Sequence, residues 1–454
     1  MKTHYLTQSL INIVCMMFIL LFASTSHSQE IVPIKKEVLN QPTLFAGIRE
    51  LPESKIKNKD FSNEKYGFEL HKQRKITKIP FLLQANLILV PLTINNSDTL
   101  WFILDTGVNA IILTDSATIR KLDMPYIRNI QLQGIGEGEN VEAGLTLGNT
   151  IRMGEMTGYK QNVLVIKNNA INLGEYIGVP IHGVWGFDLF DRFVVTIDFV
   201  NRNIVLYEPD SYSVKHEKGE RFDISIEKSK PYFSGLQVET SNKKKPLKLL
   251  IDTGANHALF LEKQDTSLLR MPDKVINTQL GRGLNGIIHG KLGRIRKMKL
   301  GSYEINDLIA SFPDSSQKIY SGANETQRQG AIGCELLRRF KVTFNYRDNY
   351  ILLKPIKKSL KETFEYNMSG MEIVARGNDF HTFIVDNIME GSPAKNAGIQ
   401  AGDLIVAVNG NLAKEIQISD IYKILQTKEG KGVEMVLQRN GKLFVKSFSL
   451  QRII

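Results

Sequence analysis

Cysteine is almost absent from this chain. Two residues in 454, Cys15 and Cys334, exclude a disulfide-stapled scaffold and a cysteine-rich zinc site. Histidine supplies no alternative, because His182, His257 and His289 lack metal-ligand spacing and read as ordinary loop residues. No metal and no cofactor is expected. The Gly-x-Ser-x-Gly signature does not occur, so a serine hydrolase of that type has no support. Long apolar runs are scarce. Leu10–Ala23 is broken by Asn12 and is short for a membrane span. Negative charge is in the minority, with 47 Asp+Glu against 58 Lys+Arg, a net +11. The basic residues are scattered, which reads as a solvated surface and not as a nucleic-acid track. The remainder, 42% hydrophobic and 23% charged, is globular composition sufficient for two to four domains.

The N-terminus sets the expected compartment. Lys2 is the sole formal charge before Glu30, and Leu10–Ala23 gives way to small polar residues at Ser24–Ser28. Ser26 and Ser28 stand three and one before a cut at Gln29, the layout of a secretory signal peptide over residues 1–28. The expectation is an exported protein of periplasm, envelope or medium, with no transmembrane span once the signal is removed. Residues 29–78 follow as a polar, Lys-rich leader and candidate propeptide.

From Ile79 onward short strands rich in Leu, Ile and Val alternate with turn residues, and helical signals are few. An internal repeat organises this region. Phe102–Gly107, ending Asp-Thr-Gly, recurs as Leu249–Gly254. Gly183-Val184-Trp185-Gly186 recurs as Gly330-Ala331-Ile332-Gly333. Asp105 to Gly186 and Asp252 to Gly333 are both separations of 81 residues, and Gly134 and Gly281 each follow their aspartate by 29. One Asp-Thr-Gly triplet carries little weight; two with equal downstream spacings mark a duplication. The lobes are placed at 79–210 and 220–354.

A third unit spans 365–454. Ser392-Pro393 reads as N-cap and first turn of a helix closed by Gly398, Asn409-Gly410 and Asn440-Gly441 as hairpin turns, and Ile421, Ile424 and Leu425 as one helix face. This predicts a small β domain with two helices.

Residues 79–354 resemble the aspartic proteases, specifically a retropepsin-like enzyme fused into a pepsin-type pseudo-dimer. The implied fold is mainly β: a two-lobed body of tandem β-barrels, plus the small third domain. The resemblance implies that Asp105 and Asp252 are the catalytic pair and that Thr106, Gly107, Thr253 and Gly254 support it. It places flaps at Gly134, Gly136, Gly281 and Gly283, and it implies a monomer acting on peptides or proteins. Two adjacent carboxylates share a proton, so one deprotonates water while the other donates to the peptide carbonyl. The sequence departs from pepsins at Val108 and Ala255, where those enzymes carry Ser or Thr; retroviral enzymes have Ala there. Neither flap segment contains Tyr.

Glu390–Ala394, Ala397-Gly398-Ile399, Gly402-Asp403 and Val408-Asn409-Gly410 resemble a PDZ domain of the bacterial protease type. The resemblance implies that protein C-termini bind there, at a loop formed by Ser369, Gly370, Met371, Glu372 and Ile373.

Bland readings compete at several places. Gly281, Gly283 and Gly286 spell a dinucleotide fingerprint, but no helix signal follows, so the flap reading is preferred. Cys334 matches Phe187 in the repeat and reads as an inert buried thiol. Asp188 and Glu335 read as helix caps. The rival function is a catalytically inactive peptide-binding scaffold. A two-carboxylate glycosidase would need a wider carboxylate separation than this motif implies.

Overall fold

A computed structural model describes residues 65–454 apart from 123, 168–171, 215–217, 240–243, 263–270 and 315–327. The expected signal segment and the leader as far as residue 64 lie outside the described residues. The architecture is mainly β: two lobes, a sheet between them, and a small C-terminal domain with a sheet of its own.

Each lobe is one curved sheet. In the first, the paired order runs Gly67–Leu70, Met156–Ile166, Ile111–Leu113, Gly183–Trp185, Leu100–Leu104, Leu87–Ile94, Val141–Met153, Arg128–Leu132. Met156–Ile166 also pairs with Val141–Met153, so the sheet curls back on itself. The second lobe repeats the plan around Lys244–Ile251, Gly330–Ile332 and Leu259–Leu261, and Lys230–Glu239 pairs with Gly286–Leu300 to curl it. The strands next to each Asp are dense in Leu, Ile, Val and Phe because they are buried; Leu104, Ile251, Trp185 and Ile332 are inaccessible to solvent.

The sheet between the lobes places Val194–Asp198 beside Phe340–Asn345, antiparallel, with Thr196 opposite Thr343. Their hydroxyls meet at 2.8 Å, 147 residues apart in sequence. That is the offset between the two Asp-Thr-Gly loops, so a residue and its own repeat face each other, as an approximate two-fold axis requires.

Residues 67–78, grouped with the leader in the sequence, pair with the first lobe. Gly67–Leu70 adds to Met156–Ile166, and Ile76–Pro80 joins Asn203–Tyr207 at the edge of the inter-lobe sheet. Thr77 and Ile79 turn inward while Lys78 faces water, a period-two strand half hidden in a polar stretch.

The C-terminal sheet runs Met371–Arg376, Thr382–Ile388, Leu404–Val408, Gly432–Arg439, Lys442–Ser449. Ser392 accepts from the Lys395 amide and caps the helix Pro393–Asn396. The helix Ile418–Leu425 buries Ile418, Ile421 and Leu425 in the domain's own apolar cluster. Among the described residues no helix is long and apolar enough to cross a membrane.

Candidate active site

Each Asp-Thr-Gly loop emerges where Leu100–Leu104 or Lys244–Ile251 ends, and a parallel neighbour supports it. The Asp105 amide donates to the Trp185 carbonyl at 2.8 Å, and the Asp252 amide to Ile332 at 2.9 Å. Gly186 and Gly333 follow in those neighbours. A Cβ at Gly186 would lie 1.8 Å from the Asp105 carbonyl oxygen, so the strand passes this close only without a side chain.

The threonines lock one loop to the other. Thr106 Oγ1 donates to the Ile251 carbonyl at 2.6 Å and accepts from the Thr253 amide at 3.0 Å. Thr253 Oγ1 reciprocates with the Leu104 carbonyl at 2.8 Å and the Thr106 amide at 3.0 Å. Both side chains are wholly buried, so these four bonds are shielded from water.

Above this lock the Asp105 and Asp252 carboxyl groups converge: a Cβ at Gly107 would lie 3.0 Å from Asp105 Oδ1 and 3.3 Å from both Asp252 oxygens. The Gly107 amide donates to Asp105 Oδ1 at 2.6 Å, and the Gly254 amide to Asp252 Oδ1 at 2.9 Å. Removal from water holds the Asp105 carboxyl well above the usual carboxylate range, and the charge of Asp252 adds to the rise. The Gly107 amide and the positive charge of Lys230 act in the opposite sense. Val108 and Ala255 provide no side-chain donor.

Gly134 and Gly136 lie in the loop after Arg128–Leu132, and Gly281 and Gly283 end the strand Val275–Gly283 of a hairpin completed by Gly286–Leu300. The two segments expected to act as flaps meet at Asn285. Its carbonyl accepts from the Gly138 amide at 2.6 Å, its side-chain oxygen from the Gly134 amide at 2.9 Å, and its own amide donates to Ile135 at 3.1 Å. The flap tips cross: Ile135 packs against the second-lobe cluster of Tyr232, Phe260 and Ala331, and Leu284 against Val141 and Ile166 of the first. Asn285, 4% exposed, was not among the sequence candidates; the signal was Asn-Gly at 285–286, which is hairpin chemistry.

The other residues singled out in the sequence fall beside the site. Cys334 is buried, its thiol donates to the Thr253 carbonyl at 3.4 Å, and burial pushes its pKa up. Gly186 and Gly333, not Asp188 and Glu335, occupy the cap positions of the short helices. Glu335 instead holds Arg338 and Arg339. His182 accepts from the Trp101 amide, and His289 faces Glu137 across the flaps at 3.6 Å. His257 stacks on Phe260, and burial lowers its pKa to about 4. No cluster of metal-ligating residues exists among the described residues.

In the third domain, Ser369 and Met371 are wholly buried. The Ser369 amide donates to Asn367 Oδ1 at 3.0 Å and the Met371 amide to Ser369 Oγ at 3.1 Å. The Ile373 amide donates to the Tyr422 hydroxyl at 3.0 Å. Glu372 lies against Thr278 of the second-lobe flap.

Comparison with known proteins agrees with this division. A family model described as aspartyl protease matches residues 90–189 and again 236–336, and a PDZ domain model matches 384–439. The carboxy-terminal processing protease CtpA of Bacillus subtilis (strain 168) is 33% identical over 84 residues, 18% of each chain. The chloroplastic C-terminal processing peptidase of Tetradesmus obliquus is 36% identical over 72 residues, 16% of each chain. A probable periplasmic serine endoprotease, DegP-like, of Hahella chejuensis (strain KCTC 2396) is 34% identical over 93 residues, 20% of this chain and 17% of that protein. The matches span less than a fifth of the length of these relatives. Among solved structures, the photosystem II D1 C-terminal processing protease is 28% identical over 21% of this chain and 26% of its own, with a TM-score of 0.19. With both lobes matched to the one model, the chain carries a tandem, retropepsin-like aspartyl protease region followed by a C-terminal PDZ domain.

Proposed function

We propose that the chain is an exported aspartic endopeptidase in which Asp105 and Asp252 activate one water between them. The observation that carries this reading is the convergence of the two carboxyl groups above the reciprocal Thr106–Thr253 lock. The raised pKa of Asp105 suits a pair that holds one shared proton. The ionised member takes a proton from water as it attacks the peptide carbon, and the protonated member donates to the carbonyl oxygen. The resulting gem-diol collapses with proton transfer to the leaving nitrogen, and no covalent intermediate forms. Thr106, Gly107, Thr253 and Gly254 fix the carboxyl geometry, and the flaps around Gly134, Gly136, Gly281 and Gly283 cover the peptide. Both carboxylates come from one chain, so a monomer suffices.

Peptidase activity against a peptide library tests this. Asp105→Asn or Asp252→Asn should each remove nearly all cleavage, because a single carboxyl cannot serve as both acid and base. Substantial activity in the double Asn variant would sink the assignment, and binding without cleavage by the unmodified chain would return the scaffold reading. Export predicts a mature N-terminus at Gln29, which N-terminal sequencing of secreted material checks.

A further inference from the structure

We propose that the PDZ domain latches the second-lobe flap, so that displacing the strand Met371–Arg376 frees Val275–Gly283. The inference rests on the endopeptidase reading for its consequence, though not for its geometry. Among the described residues Met371–Arg376 is an edge strand, bonded to Thr382–Ile388 on one side only. An extended peptide with a free C-terminus would add to its other edge. That edge is already engaged. The Tyr422 hydroxyl accepts from the Ile373 amide at 3.0 Å and donates to its carbonyl at 3.3 Å, the two groups that an added strand would pair.

Two bridges run from this strand to the flap. The first is direct: the Thr278 hydroxyl donates to Glu372 Oε1 at 3.4 Å and meets the Tyr366 hydroxyl at 3.4 Å. The second passes through the first lobe's short helix Gly174–Ile177. Arg376 pairs with Glu175 on that helix, and the adjacent Tyr176 ring lies 5.1 Å from the Arg282 guanidinium near the flap tip. The helix is packed tightly on the PDZ domain. A Cβ at Gly174 would lie 2.8 Å from the Phe380 ring, and one at Gly178 2.4 Å from Ile418. Thr278 and Arg282 belong to the strand that ends beside Asn285, where the flaps are joined. A ligand that moves Tyr422 and the edge strand therefore pulls on both bridges at once. The ligand class is an extended peptide with a free, apolar C-terminus, and its predicted effect is to release the flap.

Charge reversal tests the latch in the full chain. Hydrogen exchange is followed at residues 275–290, with Phe340–Asn345 as the folding control. Glu175→Arg and Arg376→Glu should each speed flap exchange at least tenfold without altering the control, and the double swap should restore it to within twofold. Thr278→Val, which keeps the side-chain volume, should speed flap exchange in the same direction even if a charge variant fails to fold. Unchanged flap exchange in folded single variants, or a double swap that restores nothing, overturns the latch. Cleavage of a quenched peptide blocked at both ends should rise at least threefold in each single variant. Absence of cleavage in every form would count against the endopeptidase reading alone, because the exchange result stands without it.

Discussion

The carboxyl group of Asp105 stands where a side chain on Gly254 would be: a Cβ there would lie 2.1 Å from Asp105 Cγ. Each loop thus leaves out a side chain to admit the carboxyl of the other lobe. The relation is unequal, since a Cβ at Gly107 would be 3.0 Å from Asp105 Oδ1 and 3.3 Å from either Asp252 oxygen. Gly254→Ala should therefore push Asp105 out of register and lower kcat/KM at least ~100-fold, the scale expected for a displacement of about 1 Å at reacting groups. Gly107→Ala should cost clearly less. Equal losses in the two variants, or a Gly254→Ala enzyme retaining a tenth of its activity, would contradict this steric account.

The Thr196–Thr343 contact makes a prediction about stability. Both residues are buried and their hydroxyls satisfy each other. Thr196→Val alone strands the Thr343 hydroxyl, at a cost of about 1–3 kcal/mol. Replacing both with Val removes the polar pair together and should cost less than either single change. Denaturant unfolding of the three variants measures this, and a double variant as unstable as the sum of the singles would count against the pairing.

The two Asp-Thr-Gly loops were legible because a short motif recurs with equal spacings, which needs no knowledge of distant contacts. The matched glycines Gly134 and Gly281 were visible for the same reason. What joins the flaps was not: Gly134 and Asn285 are 151 residues apart, and neither residue type announces the other. Ile76–Pro80 was hidden because only two of its residues turn inward, within a Lys-rich stretch. The helix Gly174–Ile177 is one turn long, too short to show a period. In the PDZ domain, Ser369–Ile373 was read as one loop, whereas Met371–Ile373 begin the strand Met371–Arg376. That Asn367, Ser369 and Tyr422 would take its amides depends on side-chain directions that residue order alone does not encode.

His257 makes stability depend on pH. Its ring is packed on Phe260, its Nε2 has no hydrogen-bond partner among the described residues, and its pKa is lowered to about 4 from an ordinary 6.5. Burial is the main cause; the positive charge of Arg328 adds to it, and Asp252 opposes it. Between those values the unfolded chain binds a proton that the folded chain refuses. Stability should therefore fall as pH drops from about 6.5 towards about 4, by roughly 2–3 kcal/mol from this residue. His257→Ala, the residue that the first lobe carries at the matching position, Ala110, should lose less stability between pH 7 and pH 4 than the unmodified protein. Parallel pH dependences in the two proteins would show that the imidazole does not titrate in this way.

The final prediction concerns the pH of action. Burial and the neighbouring Asp252 charge raise the Asp105 pKa, while the Gly107 amide and Lys230 restrain it. A hydroxyl directly after each loop glycine would be a further restraint, but Val108 and Ala255 have none. The shared proton should therefore be retained to higher pH than in a pepsin-like pair, giving a bell-shaped profile with its optimum at roughly pH 4–6.5. Two variants test the electrostatic origin in opposite directions. Lys230→Met removes a positive charge that favours the carboxylate, so the limb set by Asp105 should move to higher pH. Val108→Ser with Ala255→Ser adds donors to the ionised oxygens, so the acid limb should move to lower pH. The direction of each shift matters more than its size, because screening weakens a charge acting through solvent over about 8–10 Å. An optimum near pH 2 in the unmodified enzyme, or a downward shift with Lys230→Met, would show that other donors set the proton affinity of the pair.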